Sequence, residues 1–231
     1  MKNIRYRLAL VFSCFLAASC GVNKAIVIAD GETVEGNRST VNGRVRIGSG
    51  CDVRGICRTV NGRITVGPQS SVGGLRTVNG QITMADNVSV AGNVGTVNGS
   101  LVLGSDISVE GGLETINGSI ECGSGSVGAD ISSVNGGISL NATRVGGTLT
   151  TTNGSIALTG GALVSGDVVI KGRDRRGARK KVVEIRIADG SVVEGDVVVR
   201  DPGRRVKVIL SDGGAVKGEV VNAEVVGKSA I

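Results

Sequence analysis

Apolar and polar residues alternate along most of the chain, and glycines interrupt the alternation at short intervals. Val45 and Ile47 enclose the polar Arg46, for example, and similar triplets recur up to about residue 160. A period of two, rich in β-branched residues and bounded by glycine, predicts short β-strands with one side facing a core. No stretch shows a convincing apolar stripe at the spacing of an amphipathic helix. The pattern therefore predicts an all-β protein.

The strands recur together with a four-letter phrase, which reads TVNG at Thr40, Thr59, Thr77 and Thr96 and then varies to TING, SVNG and TTNG. Its asparagines repeat every 18 or 19 residues, at Asn42, Asn61, Asn79, Asn98, Asn117, Asn135 and Asn153. Self-similarity at such a short period indicates a solenoid. We expect a single-stranded, right-handed parallel β-helix in which each repeat is one coil and coils stack about 4.8 Å apart.

The repeat changes character near residue 160, which divides the β-helix into two zones. The TVNG phrase governs residues 25–160, whereas residues 161–231 contain a second phrase, seen in SGDVVI and EGDVVV. Longer alternating runs at Val182–Ile187 and Arg205–Leu210 predict larger or hairpin-bearing coils in the second zone. Because the alternation of Val and Ile continues across the boundary, we expect one core to run through both zones.

Residues 1–19 have the composition of a secretory signal peptide. A basic start precedes an apolar stretch over residues 8–18, and small residues lead up to a cysteine. The apolar stretch is too short for a membrane-spanning helix. The sequence Ala-Ala-Ser-Cys at residues 17–20 resembles the lipobox at the end of bacterial lipoprotein signals.

That resemblance implies cleavage after Ser19 and acylation of Cys20, so that palmitate-type chains anchor the protein in a membrane through a tether of residues 20–24. The following residue, Gly21, differs from the Asp of an inner-membrane retention signal, which favours the outer membrane of the cell envelope. The alternative is ordinary cleavage near Ala18, which would give a soluble secreted protein.

Composition removes several classes of function. The aromatic residues Tyr6, Phe12 and Phe15 all precede the lipobox cysteine, and the chain contains no histidine. The remainder has no ring on which nucleic-acid bases could stack and no imidazole for a catalytic triad or metal site. Its acidic residues occupy different positions in different repeats, without the carboxylate pair of a glycoside hydrolase. We expect no catalytic site, no cofactor, no metal and no nucleic-acid partner.

Three cysteines occupy positions at which other repeats carry aliphatic residues. Cys51 aligns with Val88 and Ile107, and Cys57 and Cys122 fall in columns of Val, Leu and Ile. Since a free thiol packs as a small hydrophobic group, all three are expected to point into the core. A disulfide between Cys51 and Cys57 is the alternative that an oxidising compartment permits.

The asparagine and threonine of each phrase have two interpretations. In the first, the Asn-Gly pair forms a turn in left-handed conformation, and the asparagines hydrogen-bond from coil to coil as a structural ladder. In the second, Thr40, Thr59, Thr77, Thr96 and Thr115 face outward and form a regular Thr-x-Asn array similar to the flat faces of ice-binding β-helices.

Positive charge is concentrated in the segment KGRDRRGARKK. Seven cations face one acid there, namely Lys171, Arg173, Arg175, Arg176, Arg179, Lys180 and Lys181. Such a segment on a membrane-tethered protein could contact anionic lipid, lipopolysaccharide phosphate or acidic polysaccharide. The alternative is a solvated hairpin tip that discourages edge pairing.

Two family resemblances follow from the phrases. The T-x-N-G-x-I repeat over residues 38–160 resembles the adhesin-type β-helix domain of bacterial surface proteins, which implies a structural or adhesive role without enzymatic activity. The phrase DGSVVEGDVVV and the rest of residues 160–231 resemble bactofilins, which are polymer-forming β-helix proteins. This second resemblance implies self-association, and the apolar, strand-like ends of the rod indicate coil ends as the contact surface.

Overall fold

The computed structural model describes residues 23–172 and 182–227, and within these ranges it consists of strands and turns without a helix. The chain winds through about ten coils, and strands of successive coils pair in parallel. The predicted all-β, parallel β-helix is confirmed. Its regularity follows from the sequence, because every coil offers the same short alternating runs between glycine-rich corners.

Each coil contributes one strand segment to each of three faces. Face 1 is an eleven-stranded sheet of β1 (Ile26–Ile28), β4 (Val45–Ile47), β6 (Ile64–Val66), β8 (Ile82–Met84), β11 (Leu101–Leu103), β14 (Ile120–Cys122), β17 (Ile138–Asn141), β20 (Ile156–Thr159), β23 (Val183–Ile187), β26 (Val206–Leu210) and β29 (Glu224–Val226). Face 2 contains β2 (Thr33–Glu35), the first parts of β5 (Asp52–Asn61) and β7 (Ser71–Asn79), β9 (Ser89–Val90), β12 (Ile107–Val109), β15 (Gly125–Val127), β18 (Thr143–Val145), β21 (Leu163–Val164), β24 (Val192–Val193) and β27 (Ala215–Val216).

Face 3 contains β3 (Arg38–Thr40), the second parts of β5 and β7, β10 (Val94–Asn98), β13 (Leu113–Asn117), β16 (Ile131–Ser133), β19 (Leu149–Thr151), β22 (Val168–Ile170), β25 (Val197–Val199) and β28 (Val220–Val221). Faces 2 and 3 belong to one eighteen-stranded sheet, because β5 and β7 continue from one face to the other.

The register gives the size of each coil. From Ile26 to Ile156 the partners on face 1 lie 18 or 19 residues apart, as predicted from the spacing of the asparagines. Ile156 then pairs with Ile185, 29 residues on, and Ile185 pairs with Val208, 23 residues on. The prediction of larger coils toward the C-terminus is therefore confirmed.

Inward side chains of all three faces form one continuous core. It extends from Ile28 to Leu210 and is made almost entirely of Val, Ile and Leu, with three cysteines and one methionine. Outward positions of the same strands are polar or only partly covered, as in the buried–exposed–buried pattern of β4. The core passes through residue 160 without interruption, so both zones stack on one apolar column.

Candidate functional site

The repeated asparagines line the corner between faces 3 and 1, where their side chains form a ladder of hydrogen bonds. Each Nδ2 donates to the Oδ1 of the asparagine one coil earlier over 2.7–2.8 Å, from the pair Asn42 to Asn23 up to the pair Asn153 to Asn135. The first member, Asn23, belongs to no TVNG phrase, so the sequence repeat did not indicate it. The ladder ties neighbouring coils together along an exposed corner.

The threonines of the phrase point into the core rather than outward. Thr40, Thr59 and Thr115 are at most 2% exposed. The Thr59 hydroxyl donates to the Gly43 carbonyl over 2.8 Å, and that of Thr115 donates to the Gly99 carbonyl over 2.9 Å. The expected outward Thr-x-Asn array is therefore wrong, because the hydroxyls satisfy buried carbonyls of the preceding coil.

The glycine after each asparagine is required by the close approach of successive coils. A Cβ on Gly99 would collide with the carbonyl oxygen of Gly80, and one on Gly118 would collide with that of Gly99. The expected left-handed turn at this corner is wrong, since neither the asparagines of the repeat nor the glycines that follow them have a positive φ. Left-handed residues lie instead at the corner between faces 1 and 2, among them Gly50, Gln69, Asn87 and Asp106.

Several aspartates at the other two corners bind the backbone of the next coil. Asp130 Oδ1 accepts a hydrogen bond from the Thr148 amide over 2.8 Å, and Asp196 Oδ1 accepts one from the Glu219 amide over 2.8 Å. Equivalent bonds form at three further aspartates, Asp30, Asp86 and Asp167. These bonds explain the Gly-Asp of the SGDVVI and EGDVVV phrases, and they show why acidic residues recur at the corners.

The three cysteines within the described residues are buried and free, as the alignment of the repeats predicted. Cys51 precedes the face 2 part of β5 and Cys57 lies in its face 3 part, so the disulfide alternative does not form. Burial raises the pKa of Cys57 to about 11, although the nearby Arg38 guanidinium lowers it in part. Burial also raises the pKa of Cys122. Thiols of this kind are protonated at neutral pH and are poor nucleophiles.

Two predicted functional sites fall mostly outside the described residues. Cys20 and the signal peptide precede residue 23, and the basic segment is described only at its first residue, Lys171. Lys171 is exposed and follows β22, where its backbone amide donates to the Thr151 carbonyl over 2.8 Å. The six other cations lie beyond the description, namely Arg173, Arg175, Arg176, Arg179, Lys180 and Lys181.

The structure brings together a group of arginines that the sequence analysis did not single out. Arg44, Arg46 and Arg63 occupy exposed outward positions on face 1, and Val45 pairs with Ile64, which sets Arg44 beside Arg63. The three side chains line an open depression of about 720 Å³, together with Asp30, Thr65 and Pro68. We call Arg44, Arg46 and Arg63 the arginine patch.

Two more arginines flank the patch across the asparagine corner. Arg58 and Arg76 are paired neighbours on outward positions of face 3. The Nε atom of Arg58 is covered and has no hydrogen-bond acceptor within the described residues. Cationic side chains therefore lie on both sides of the corner in the coils of β4 to β7.

Comparison with protein-family models, with curated proteins and with solved structures finds no match for this chain. The resemblances to adhesin-type domains and bactofilins thus stay predictions. In residues 23–172 and 182–227, no helix is long and apolar enough to cross a membrane. The same residues contain no group of three Cys, Asp or Glu side chains arranged to hold a metal ion.

Proposed function

We propose that this protein is a cell-envelope lipoprotein without enzymatic activity, whose β-helix rod has a structural or adhesive role at the membrane. The observation that carries the proposal is the lipobox cysteine, Cys20, placed just before a rigid rod. Only residues 21–25 separate Cys20 from β1, and five residues span at most about 18 Å. The rod would therefore begin close to the lipid surface.

The stacking of the coils supports a mechanical role. The conserved pattern of each coil is used inside the molecule: threonine hydroxyls bind glycine carbonyls, asparagines bind asparagines, and corner aspartates bind backbone amides. Parallel ladders on three faces add continuous backbone hydrogen bonding along the axis. A rod of this construction holds its outward residues at fixed spacing, which suits a scaffold or an adhesive surface more than a mobile catalytic site.

Metabolic labelling with palmitate, followed by fractionation of the cells, tests the proposal. We expect label on the wild-type protein and its recovery in the membrane fraction, because Cys20 would be acylated. The variant Cys20→Ala should be unlabelled and soluble. A mutant that keeps the label, or a wild type that carries none, would rule out the lipoprotein assignment.

A self-assembling scaffold is the second candidate, and the C-terminal end of the rod favours it. Val225 and Val226 of β29 are 46% and 41% exposed, and Val221 of β28 is 36% exposed. These strands end the described stack, and unpaired strand edges with apolar side chains are natural contact surfaces. The sedimentation experiment that tests this candidate is given in the Discussion.

A further inference from the structure

Charge is segregated along the rod axis. Residues 38–76 contain seven arginines and only one acid, Asp52, which gives a net charge of +6. Residues 77–143 contain six acids and no Lys or Arg, which gives a net charge of −6. Because coils stack in sequence order, the two segments become neighbouring basic and acidic sections of one rod.

The basic section is not neutralised from within the described residues. Arg54 on face 2 is the exception, since it pairs with Glu35 and Asp52 at 2.8 Å each. The arginine patch forms no ion pair in residues 23–172 and 182–227, and the one carboxylate beside it, Asp30, accepts the Ser49 amide over 2.8 Å. The unneutralised charge thus lies on faces 1 and 3, around the asparagine corner.

We propose that the arginine patch, flanked by Arg58 and Arg76, binds the phosphate groups of anionic lipid headgroups, an inference that rests on the proposed membrane role. Guanidinium groups match phosphate oxygens in a planar, bidentate geometry. The depression lined by Arg44, Arg46 and Arg63 is open to solvent, so headgroups can reach all three side chains.

The place of the patch along the rod fits this partner. Arg44 and Arg46 lie on the second coil and Arg63 on the third, so the patch is about 5–10 Å from the first coil at the inter-coil spacing. This distance is within a Debye length of a surface that meets the first coil. The acidic section lies farther along the axis and is repelled by the same surface, which orients the rod with its N-terminal end toward the lipid.

Vesicle co-sedimentation of residues 23–231 tests the proposal without the lipid anchor. These residues contain the whole core from Ile28 to Leu210, so they carry their own folding unit. We expect binding to vesicles of phosphatidylcholine mixed with phosphatidylglycerol, weak binding to phosphatidylcholine alone, and loss of binding at high salt. The variant R44Q/R46Q/R63Q should bind roughly a hundredfold more weakly, about fivefold for each charge near the surface.

The matched control is R144Q/R186Q/R200Q, which removes three exposed arginines from distal coils and leaves the same net charge. It should bind like the wild type, and circular dichroism should show both variants folded. A second variant, R173Q/R175Q/R176Q, removes charge from the basic segment. Equal losses in the patch and distal variants, loss only in the basic-segment variant, or equal binding to both vesicle types would overturn the proposal. None of these outcomes bears on acylation of Cys20, which the palmitate experiment measures separately.

Discussion

At the scale of single residues, the core contains one titratable group whose environment has a measurable consequence. Cys57 is fully buried and follows Arg38 in an inward column that otherwise holds Leu and Val. Burial disfavours its thiolate and raises its pKa to about 11 in the folded protein. In the unfolded chain the thiol ionises near its usual value of about 9. The unfolded state thus loses its proton first as the pH rises.

We predict that the free energy of unfolding falls by about 2–3 kcal/mol between pH 9 and pH 11 on account of Cys57. The stabilising effect is complete below pH 9 and is lost through the folded-state pKa. The variant Cys57→Val keeps an apolar side chain and removes the ionisation, so its stability should depend less on pH by that amount. Urea unfolding at several pH values measures the difference. Parallel pH profiles for wild type and variant would show that the thiol is not desolvated as described.

Residue positions were predictable from the sequence where the repeat made them comparable. Aligned columns identified the inward side chains, including the cysteines, because a buried column accepts only apolar groups of similar size. The direction of the threonines could not be read in this way. A β-branched polar residue fits either side of a strand, and only the glycine carbonyl of the preceding coil, an unsatisfied acceptor inside the core, accounts for its inward position.

At the scale of strands and corners, glycine has two different uses. At the corner between faces 1 and 2 the backbone turns through left-handed residues, several of which are Asn or Asp. At the asparagine corner the coils approach too closely for a Cβ, whatever the backbone conformation. Strand length and coil size were evident in the spacing of the repeat. The sequence alone did not distinguish the two uses of glycine, because both appear as a glycine next to a turn.

The two kinds of glycine can be compared within one coil. Gly99→Ala places a methyl group against the Gly80 carbonyl and should destabilise the protein by about 1–3 kcal/mol through overpacking. Gly95→Ala places one in ordinary contact, 3.6 Å from the Glu114 carbonyl oxygen, and should change stability by less than about 0.5 kcal/mol. Denaturant midpoints of the two variants measure this difference. Similar midpoints would contradict the close stacking at the asparagine corner.

At the scale of the whole molecule, the two ends of the rod differ. In the first coil an inward position of face 3 is occupied by Arg38, whose Nη1 donates to the carbonyls of Glu35 and Asn37. Inward-pointing charge is a device that protects strand edges from pairing. The described C-terminal end carries exposed valines on β28 and β29 instead. We therefore expect association through C-terminal ends, which gives pairs rather than long polymers.

Sedimentation velocity of residues 23–231 tests this expectation. At about 100 μM the protein should form dimers that persist at high salt, because backbone pairing and apolar contact are little affected by screening. Val225→Lys should give monomers, since it places a charge on the exposed end strand. Arg38→Leu should allow longer assemblies, because it removes the inward charge from the other end. A monomeric wild type at this concentration would exclude assembly through coil ends.

The charge pattern shows what summation over a sequence conceals. Outside the basic segment the positive and negative charges nearly cancel, so the net charge gave no reason to examine residues 38–143. Stacking of the coils separates the same charges in space, and the pairing of Arg54 with Glu35 and Asp52 leaves the remainder on faces 1 and 3. Fold and coil period were thus predictable from local patterns. The arginine patch depends on contacts between coils, which only the three-dimensional register reveals.

The central claim is that this rod is held at a membrane through Cys20, and the mass of the intact protein from the membrane fraction tests it most directly. The account predicts a chain that begins at Cys20 and carries the additional mass of its acyl chains, with no species that retains residues 1–19. A membrane-purified chain that begins at another residue, or one that begins at Cys20 without added mass, would contradict the account.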